Sequence, residues 1–221
     1  MRYYPVNLDV QNRRCLVVGG GTVATRKVMT LLECGAMVTV VTPKSSEQLL
    51  ELADRKSVTL KKRHYQTSDL AGTFLVISAT NDKDVNWRVH SDAEHLGKLC
   101  NIADHPDACN FILPSFVSRG DLLISISTSG KSPAFAKKLR EDIEKEYGEE
   151  YAEFLSLMGA IRKKLLFRDD APEAHKHIFE KLIQKGLAEM IRDNKKEAVN
   201  RLLLDVLGKG HDFDTLMKTG K

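Results

Sequence analysis

The sequence predicts an α/β protein whose first half is a doubly wound parallel sheet and whose second half is mainly helical. From Arg14 onward, short apolar runs alternate with longer segments of helical periodicity, which is typical of parallel strands joined by helices. After Asn110 this alternation stops, and from Glu149 to the end only helical patterns follow. The chain has 221 residues, which is enough for two or three units with cores of their own.

Five strands and the helices between them are predicted in the first half. The strands are expected at residues 15–18, 37–42, 58–61, 74–78 and 99–102. The helices are expected at residues 22–33, 45–55 and 82–96, where apolar side chains suit helical spacing. Such a sheet places the carboxyl ends of its strands at one edge, where ligands bind.

The second half begins with a predicted antiparallel pair of strands. Residues 111–118 and 122–128 flank the turn at Gly120, and Pro133 begins a helix that continues to residue 147. Further helices are expected at 151–166, 172–190 with an interruption at Gly186, and 197–207, followed by a fraying polar tail after Phe213. The predicted domain boundaries are therefore 1–113, 114–148 and 149–221.

Composition narrows the class of protein. The fractions of 42% hydrophobic and 29% charged residues are those of a globular chain, and no apolar run is long enough to cross a bilayer. The amino terminus lacks a secretory apolar stretch, so a soluble cytoplasmic protein is expected. Four scattered cysteines predict reduced core thiols. The net charge of +4 comes from mixed charges, which argues against nucleic acid and suits a small anionic ligand.

A glycine loop, Gly19-Gly20-Gly21-Thr22-Val23-Ala24, follows the first predicted strand and opens the first predicted helix. A pyrophosphate needs backbone N–H groups and the positive end of a helix, and side chains at these positions would block its approach. The pattern Gly19-x-Gly21-x-x-Ala24 in this context predicts a Rossmann-like dinucleotide site with its backbone contacts at Gly19 and Gly21.

The end of the second strand leaves the choice of dinucleotide open. An acid normally holds the ribose hydroxyls of NAD there, but the residues are Thr42, Pro43 and Lys44. Lys44 is compatible with the phosphate of NADP, and the backbone at Thr42 and Pro43 is compatible with the ribose of NAD. Pro43 and Lys44 are equally compatible with a simple turn.

Two other strand ends offer candidate site residues. Thr80 and Asn81 follow the fourth strand, where they line a nicotinamide pocket or, for Thr80, cap the next helix. Asn101 and Asp104 follow the fifth strand. Asp104 is the candidate catalytic acceptor of the proton that leaves when a hydride passes to NAD, and its alternative role is to cap the next turn.

A hydroxyl-rich loop at residues 127–133 precedes the helix at Pro133. Ser129, Lys131 and the helix start suit an anion, although a plain capping loop uses the same residue types. No metal site is predicted, because His175 and His177 fall on different faces of a helix.

The sequence resembles the precorrin-2 dehydrogenase family, which includes the dehydrogenase and ferrochelatase module at the amino terminus of bifunctional sirohaem synthases. The resemblance covers roughly the first two thirds of the chain. It rests on the following segments: Tyr4-Pro5-Val6-Asn7-Leu8, the glycine loop with Arg26-Lys27, Ala79-Thr80-Asn81, Asn101-x-x-Asp104, Cys109-Asn110-Phe111-Ile112-Leu113-Pro114-Ser115 and Ser129-Gly130-Lys131-Ser132-Pro133.

The resemblance implies NAD-dependent oxidation of precorrin-2 to sirohydrochlorin by a homodimer, with a small α+β dimerisation domain after the nucleotide domain and a helical carboxyl-terminal region. It implies an essential Asp104, nucleotide contacts at Gly21, Thr22, Val23, Pro43 and Lys44, and NAD rather than NADP. Asn101, Ser129 and Lys131 are the candidate contacts to the tetrapyrrole. Alternative functions are an additional insertion of iron into sirohydrochlorin and, from another class, a non-catalytic NAD-sensing regulatory dimer.

Overall fold

The computed structural model describes residues 2–103, 105–166 and 172–219. The chain divides into two compact units, Met1–Leu113 and Pro114–Lys221. The separation of the second unit into a dimerisation domain and a helical domain at residue 148 stays a prediction.

The first unit is built on a five-stranded parallel sheet with the strand order β3-β2-β1-β4-β5. Its strands are β1 (Arg14–Val18), β2 (Met37–Val41), β3 (Thr59–Lys61), β4 (Leu75–Ser78) and β5 (Leu99–Ile102). Its helices are α1 (Thr22–Glu33), α2 (Glu47–Asp54) and α3 (Lys83–His95). The predicted doubly wound sheet is confirmed. The strand order reverses between β1 and β4, and ligands of such sheets bind in the crevice beside the carboxyl ends at this point.

Helices cover both faces of this sheet. In β1, Val17 belongs to one apolar cluster with Ala24 and Val28 of α1. Its neighbour Leu16 belongs to the opposite cluster, which contains Val89 of α3. Successive side chains of a strand point to opposite faces, so a strand covered on both sides is apolar throughout instead of alternating.

A buried carboxylate holds the segment that follows β3. Asp69 is 8% exposed, and Arg63 Nη2 donates to its Oδ1 at 2.6 Å while Lys61 Nζ donates at 3.0 Å. The Gln66 backbone N–H donates to Oδ2 at 3.0 Å. The Arg63 guanidinium, and then the bonds from Gln66 and Lys61, hold the pKa of Asp69 well below its usual range although burial opposes this shift.

Asp69→Asn is therefore expected to lower the free energy of unfolding by about 2 kcal/mol at neutral pH, because it removes charge-assisted bonds from a buried group. A depressed folded-state pKa stabilises the protein above the unfolded pKa of about 4. The difference between the two proteins should shrink as the pH falls further below that value. Urea unfolding at several pH values measures it, with exposed Asp54→Asn as the control. A constant difference down to the lowest pH would contradict the assignment.

The second unit begins with an antiparallel hairpin of β6 (Ser115–Arg119) and β7 (Leu122–Ile126). The helices that follow are α4 (Pro133–Glu146), α5 (Glu150–Leu166), α6 (Pro172–Gln184), α7 (Leu187–Arg192), α8 (Lys196–Leu207) and α9 (Phe213–Thr219). Their core contains the fully buried side chains of Leu157, Leu182, Leu203 and Leu216. None of the helices in the described part of the chain is both long and apolar enough to span a membrane.

Two local predictions for this half were wrong. Residues 111–114 form no strand, and β6 starts at Ser115. The expected fraying tail is the helix α9, in which Leu216 is completely buried and Phe213 and Met217 pack beside it. Three apolar residues at helical spacing over seven positions are too short a pattern to predict a helix that tertiary packing stabilises.

Candidate dinucleotide-binding site

A cleft of about 290 Å³ lies at the carboxyl ends of β1, β2 and β4. Among the predicted site residues, it brings together Gly19, Gly21, Thr42, Pro43, Lys44, Thr80 and Asn81. The rest of its wall is formed by Val18, Gly20, Val41, His64, Tyr65, Ala79, Asp82 and Val85. The cleft is therefore at the strand-order reversal, where the topology predicts a ligand.

The three glycines of the loop have different surroundings. Gly19 has φ of +127°, and a Cβ there would lie 2.3 Å from the carbonyl oxygen of Ala79. A Cβ on Gly20 would lie 2.1 Å from the carbonyl oxygen of Lys44. A Cβ on Gly21 would meet no atom within 4 Å. Gly19 and Gly20 are thus required by the protein's own backbone, whereas the absent side chain of Gly21 leaves space open to a ligand.

The amino terminus of α1 is open to an anion. Gly21 is the N-cap and has no side chain to accept from the first N–H groups, and the first turn contains no acid. In contrast, Ser46 caps α2 and Asp82 caps α3 through their side chains. Uncapped N–H groups at a helix start attract phosphate, so Gly21 at this end of the cleft fits a pyrophosphate. Thr22 and Val23 belong to the first turn of α1 but do not line the cleft, and their contact with a nucleotide stays a prediction.

The turn after β2 is fixed by Thr42, whose side chain is nearly buried. Its hydroxyl donates to the Lys44 carbonyl at 2.8 Å and accepts from the Lys44 N–H at 3.3 Å. Pro43 and Lys44 are exposed at the cleft. The one carboxylate in the described lining belongs to Asp82, which caps α3 by accepting from the N–H groups of Asp84 and Val85. The residues of the described lining that follow β2 therefore include no acid.

The turn after β4 is held from several sides. The Ala79 N–H donates to the Val18 carbonyl at 2.8 Å, and the Asp82 N–H donates to the Thr80 hydroxyl at 3.1 Å. Thr80 thus fixes the turn, while Asp82 caps the helix.

A buried side-chain pair behind this turn was missed in the sequence. Asn86 of α3 is 5% exposed, and its Nδ2 donates to the Thr80 carbonyl at 2.9 Å. Its Oδ1 accepts from the hydroxyl of the fully buried Ser78 at 2.7 Å. The only signal in the sequence is an amide at a core position of a helix.

His64 and Tyr65 form a further wall that sequence reasoning missed. Tyr65 is 3% exposed, its hydroxyl donates to Asp92 Oδ2 at 2.9 Å, and Arg88 donates to its carbonyl. Burial, and then the bond to Asp92, raises the pKa of Tyr65, so the ring stays neutral. These contacts fix the backbone beside His64. The segment has no regular periodicity to reveal it.

Asp104, the predicted catalytic residue, lies outside the described residues. Its neighbours are firmly placed, because the Ala103 N–H donates to the Ser78 carbonyl at 2.8 Å. Cys109 Sγ accepts from the Ile102 N–H at 3.1 Å and lies 3.2 Å from the His105 carbonyl oxygen, to which it donates. The chain on both sides of position 104 is therefore anchored at the carboxyl end of β5.

Asn101 has a structural role in the same segment. Its side chain is largely buried, and Nδ2 donates to the Phe111 carbonyl at 3.0 Å. This bond ties the end of β5 to the chain that leaves the first unit. A contact between Asn101 and substrate stays a prediction.

The predicted substrate residues Ser129 and Lys131 belong to the second unit. Their loop ends at α4, where Ser132 Oγ accepts from the Phe135 N–H at 3.3 Å. The Thr128 carbonyl accepts from the Lys131 N–H at 3.0 Å. The loop backbone therefore has the capping role, which was predicted as the alternative to an anion site. Both residues are exposed, and neither side chain forms a hydrogen bond or ion pair within the described part of the chain, which leaves them available to a ligand.

Three other basic residues of the second unit already have partners. Lys138 and Arg140 of α4 bind Asp142 and Glu144, four residues further along the helix. Arg119 Nε donates to the Tyr147 carbonyl at 3.0 Å, at the carboxyl end of α4. These pairs make the helix face a poorer candidate for substrate carboxylates than Lys131.

The fold and the cleft together define a dinucleotide-binding protein of the Rossmann class. A family model described as putative NAD(P)-binding matches residues 6–115, and one described as sirohaem biosynthesis protein central matches residues 119–146. The solved structure titled "SirC, precorrin-2 dehydrogenase" is 30% identical, with a TM-score of 0.70 over 86% of this chain and 100% of that chain. The chain belongs to the precorrin-2 dehydrogenase family.

Curated relatives agree with this assignment. A siroheme synthase of Nitrosococcus oceani is 36% identical over 95% of this chain and 45% of its own length. A siroheme synthase of Methylococcus capsulatus is 35% identical over 93% of this chain and 43% of its own length. The chain thus spans slightly less than half the length of these two relatives.

Proposed function

We propose that this protein oxidises precorrin-2 to sirohydrochlorin with NAD, a step of sirohaem biosynthesis that takes place in the cytoplasm. The observation that carries the proposal is the dinucleotide cleft, with an open Gly21 and no acid at the ribose position, in a chain that aligns with the full length of a precorrin-2 dehydrogenase. The reaction removes a hydride from a reduced bridge of the macrocycle and a proton from its ring system.

The cleft fits NAD residue by residue. The open space at Gly21 and the uncapped start of α1 suit the pyrophosphate. The exposed residues Pro43 and Lys44 suit the ribose, and the turn at Thr80 and Asn81 suits the nicotinamide. When bound, NAD supplies the acceptor of the hydride.

The chain itself orients the substrate and removes the proton. Precorrin-2 is a flexible tetrapyrrole with acetate and propionate groups around its rim, so it requires cations and hydroxyl groups. The unpaired side chains of Ser129 and Lys131 supply both. Asp104, which follows β5 in the sequence, accepts the proton of the ring system.

The experiment is turnover by the purified full chain. Precorrin-2 and NAD should yield sirohydrochlorin and NADH in equal amounts, measured by absorbance, with NADP as the comparison dinucleotide. NAD binding without turnover would overturn the proposal in favour of a nucleotide-sensing protein. A second stage with ferrous or cobaltous ions reports whether metal insertion accompanies the oxidation.

We also propose that the hairpin of the second unit forms a homodimer contact. Phe116 of β6 and Leu123 of β7 are 39% and 47% exposed, and both belong to the face of the hairpin opposite buried Val117. In the described residues this sheet contains β6 and β7 alone, so each strand has an unpaired edge. Apolar side chains next to open strand edges favour pairing with a second copy.

Leu123→Glu is accordingly expected to shift a dimer to a monomer, because it places a charge in the apolar contact. Light scattering during size-exclusion chromatography measures the mass. Leu96→Glu, at an equally exposed leucine of the first unit, is the matched control and should leave the mass unchanged. A monomeric wild-type protein, or a dimeric Leu123→Glu variant, would contradict the proposed contact.

A further inference from the structure

We infer that Asn86 is a positioning residue of the dinucleotide site, which aims the backbone N–H of Asn81 at the nicotinamide carboxamide. The inference rests on the proposed function for the identity of the ligand. Its structural basis is the buried pair of Asn86 and Ser78 behind the turn that follows β4.

The orientation of the Asn86 amide follows from its partners. The Thr80 carbonyl only accepts hydrogen bonds, so the amide atom that faces it at 2.9 Å must be the donor Nδ2. The Oδ1 atom then faces the Ser78 hydroxyl at 2.7 Å and accepts from it. With Asn86 5% exposed and Ser78 fully buried, water does not compete for either bond.

The consequence for Asn81 comes from peptide geometry. The Thr80 C=O and the Asn81 N–H belong to one planar peptide group, and in a trans peptide they point in opposite directions. No peptide bond in the described chain is cis. Because Asn86 holds the Thr80 oxygen on the α3 side, the Asn81 N–H points away from α3.

This N–H is free for a ligand. Asn81 is exposed and lines the cleft, and its backbone N–H donates to no atom among the described residues. The nicotinamide carboxamide offers an acceptor oxygen of the kind that a backbone N–H binds. Loss of the Asn86 donor would free the Thr80–Asn81 peptide to rotate, and the N–H would lose its fixed direction.

Two conservative variants separate this role from simple packing. Asn86→Asp keeps an acceptor for Ser78 but removes the donor to the Thr80 carbonyl. Ser78→Ala does the opposite, because it removes the hydroxyl and leaves the bond to Thr80 in place. NAD affinity should fall about tenfold in Asn86→Asp, the effect of one lost hydrogen bond. It should fall less in Ser78→Ala, which keeps the bond to the Thr80 carbonyl but leaves the Asn86 Oδ1 without its partner.

The test is calorimetric titration of each full-length variant with NAD and with ADP-ribose, which lacks the nicotinamide ring. We expect Asn86→Asp to weaken NAD and to leave ADP-ribose within about twofold, whereas a general disturbance of the cleft would weaken both. Equal losses for both ligands, or no loss for NAD, would overturn the inference. Asn86→Leu provides the same comparison if the aspartate variant does not fold. Wild-type NAD binding without precorrin-2 oxidation would contradict the proposed function and leave this inference standing.

Discussion

Asp104→Asn is expected to lower the production of NADH from precorrin-2 by about 10²–10⁴-fold, the usual contribution of a positioned general base. The amide that replaces the carboxylate has nearly the same shape but cannot accept the proton that leaves the ring system. NAD affinity should stay unchanged, because the dinucleotide cleft lies at the ends of β1, β2 and β4, and Asp104 follows β5.

The matched control for this substitution is Asp107→Asn. Asp107 is three residues further along the chain, its side chain is almost fully exposed, and its ion pair with Arg2 is 3.8 Å long. It should retain wild-type turnover, because an exposed ion pair of this kind contributes little. Steady-state rates and NAD titrations of both variants distinguish a chemical role from a binding role. Full activity of Asp104→Asn would show that another group takes the proton.

Gly21→Ala is expected to weaken NAD binding by at least tenfold without changing the melting temperature. A methyl group at this position meets no protein atom within 4 Å, so the fold accepts it, but it fills the space through which the pyrophosphate approaches the start of α1. This substitution therefore separates an effect on NAD affinity from an effect on the stability of the fold.

Gly19→Ala is the contrasting substitution in the same glycine loop. Its Cβ would lie 2.3 Å from the Ala79 carbonyl oxygen, at a backbone φ of +127° that side chains rarely adopt, so the turn after β4 must move. We expect a melting temperature several degrees lower, together with weaker NAD binding. Thermal unfolding and calorimetry report the two quantities separately. A Gly21→Ala variant that binds NAD normally would exclude the open space as the pyrophosphate site.

The sequence contains the information for the doubly wound parallel sheet and for the position of the cleft. Strands that are buried on both faces are continuous apolar runs in the sequence, and such runs are easy to recognise. In β1, for example, Leu16 and Val17 are both fully buried. The glycine loop is equally easy to recognise. A ligand approaches the backbone closely only where a side chain is missing, and the glycines that allow this lie at a fixed distance from a strand end.

The supporting contacts of the site could not be predicted in the same way. Asn86 and Tyr65 act through partners at Thr80, Ser78 and Asp92, and such pairings between elements leave no periodic trace in one sequence. The same limit applied to α9, which is helical because Leu216 packs in a core formed by distant residues.

Charge was the least predictable property of the candidate substrate site. Lys138 and Arg140 of α4 are residues of a type that binds carboxylates, but each lies beside an acid four positions later. Only the folded helix shows that these charges are already paired. Lys131 stays a candidate contact for the substrate carboxylates, because it lies in a loop and has no ion-pair partner among the described residues.

The proposed transfer of a hydride from precorrin-2 to NAD is tested by following that hydride with an isotope. Precorrin-2 carrying deuterium at its reduced bridge is incubated with the protein and NAD, and the reduced nicotinamide is analysed by mass spectrometry. We expect deuterium to appear in NADH in proportion to the sirohydrochlorin formed. Sirohydrochlorin formation with unlabelled NADH, or no oxidation of precorrin-2 at all, would contradict it.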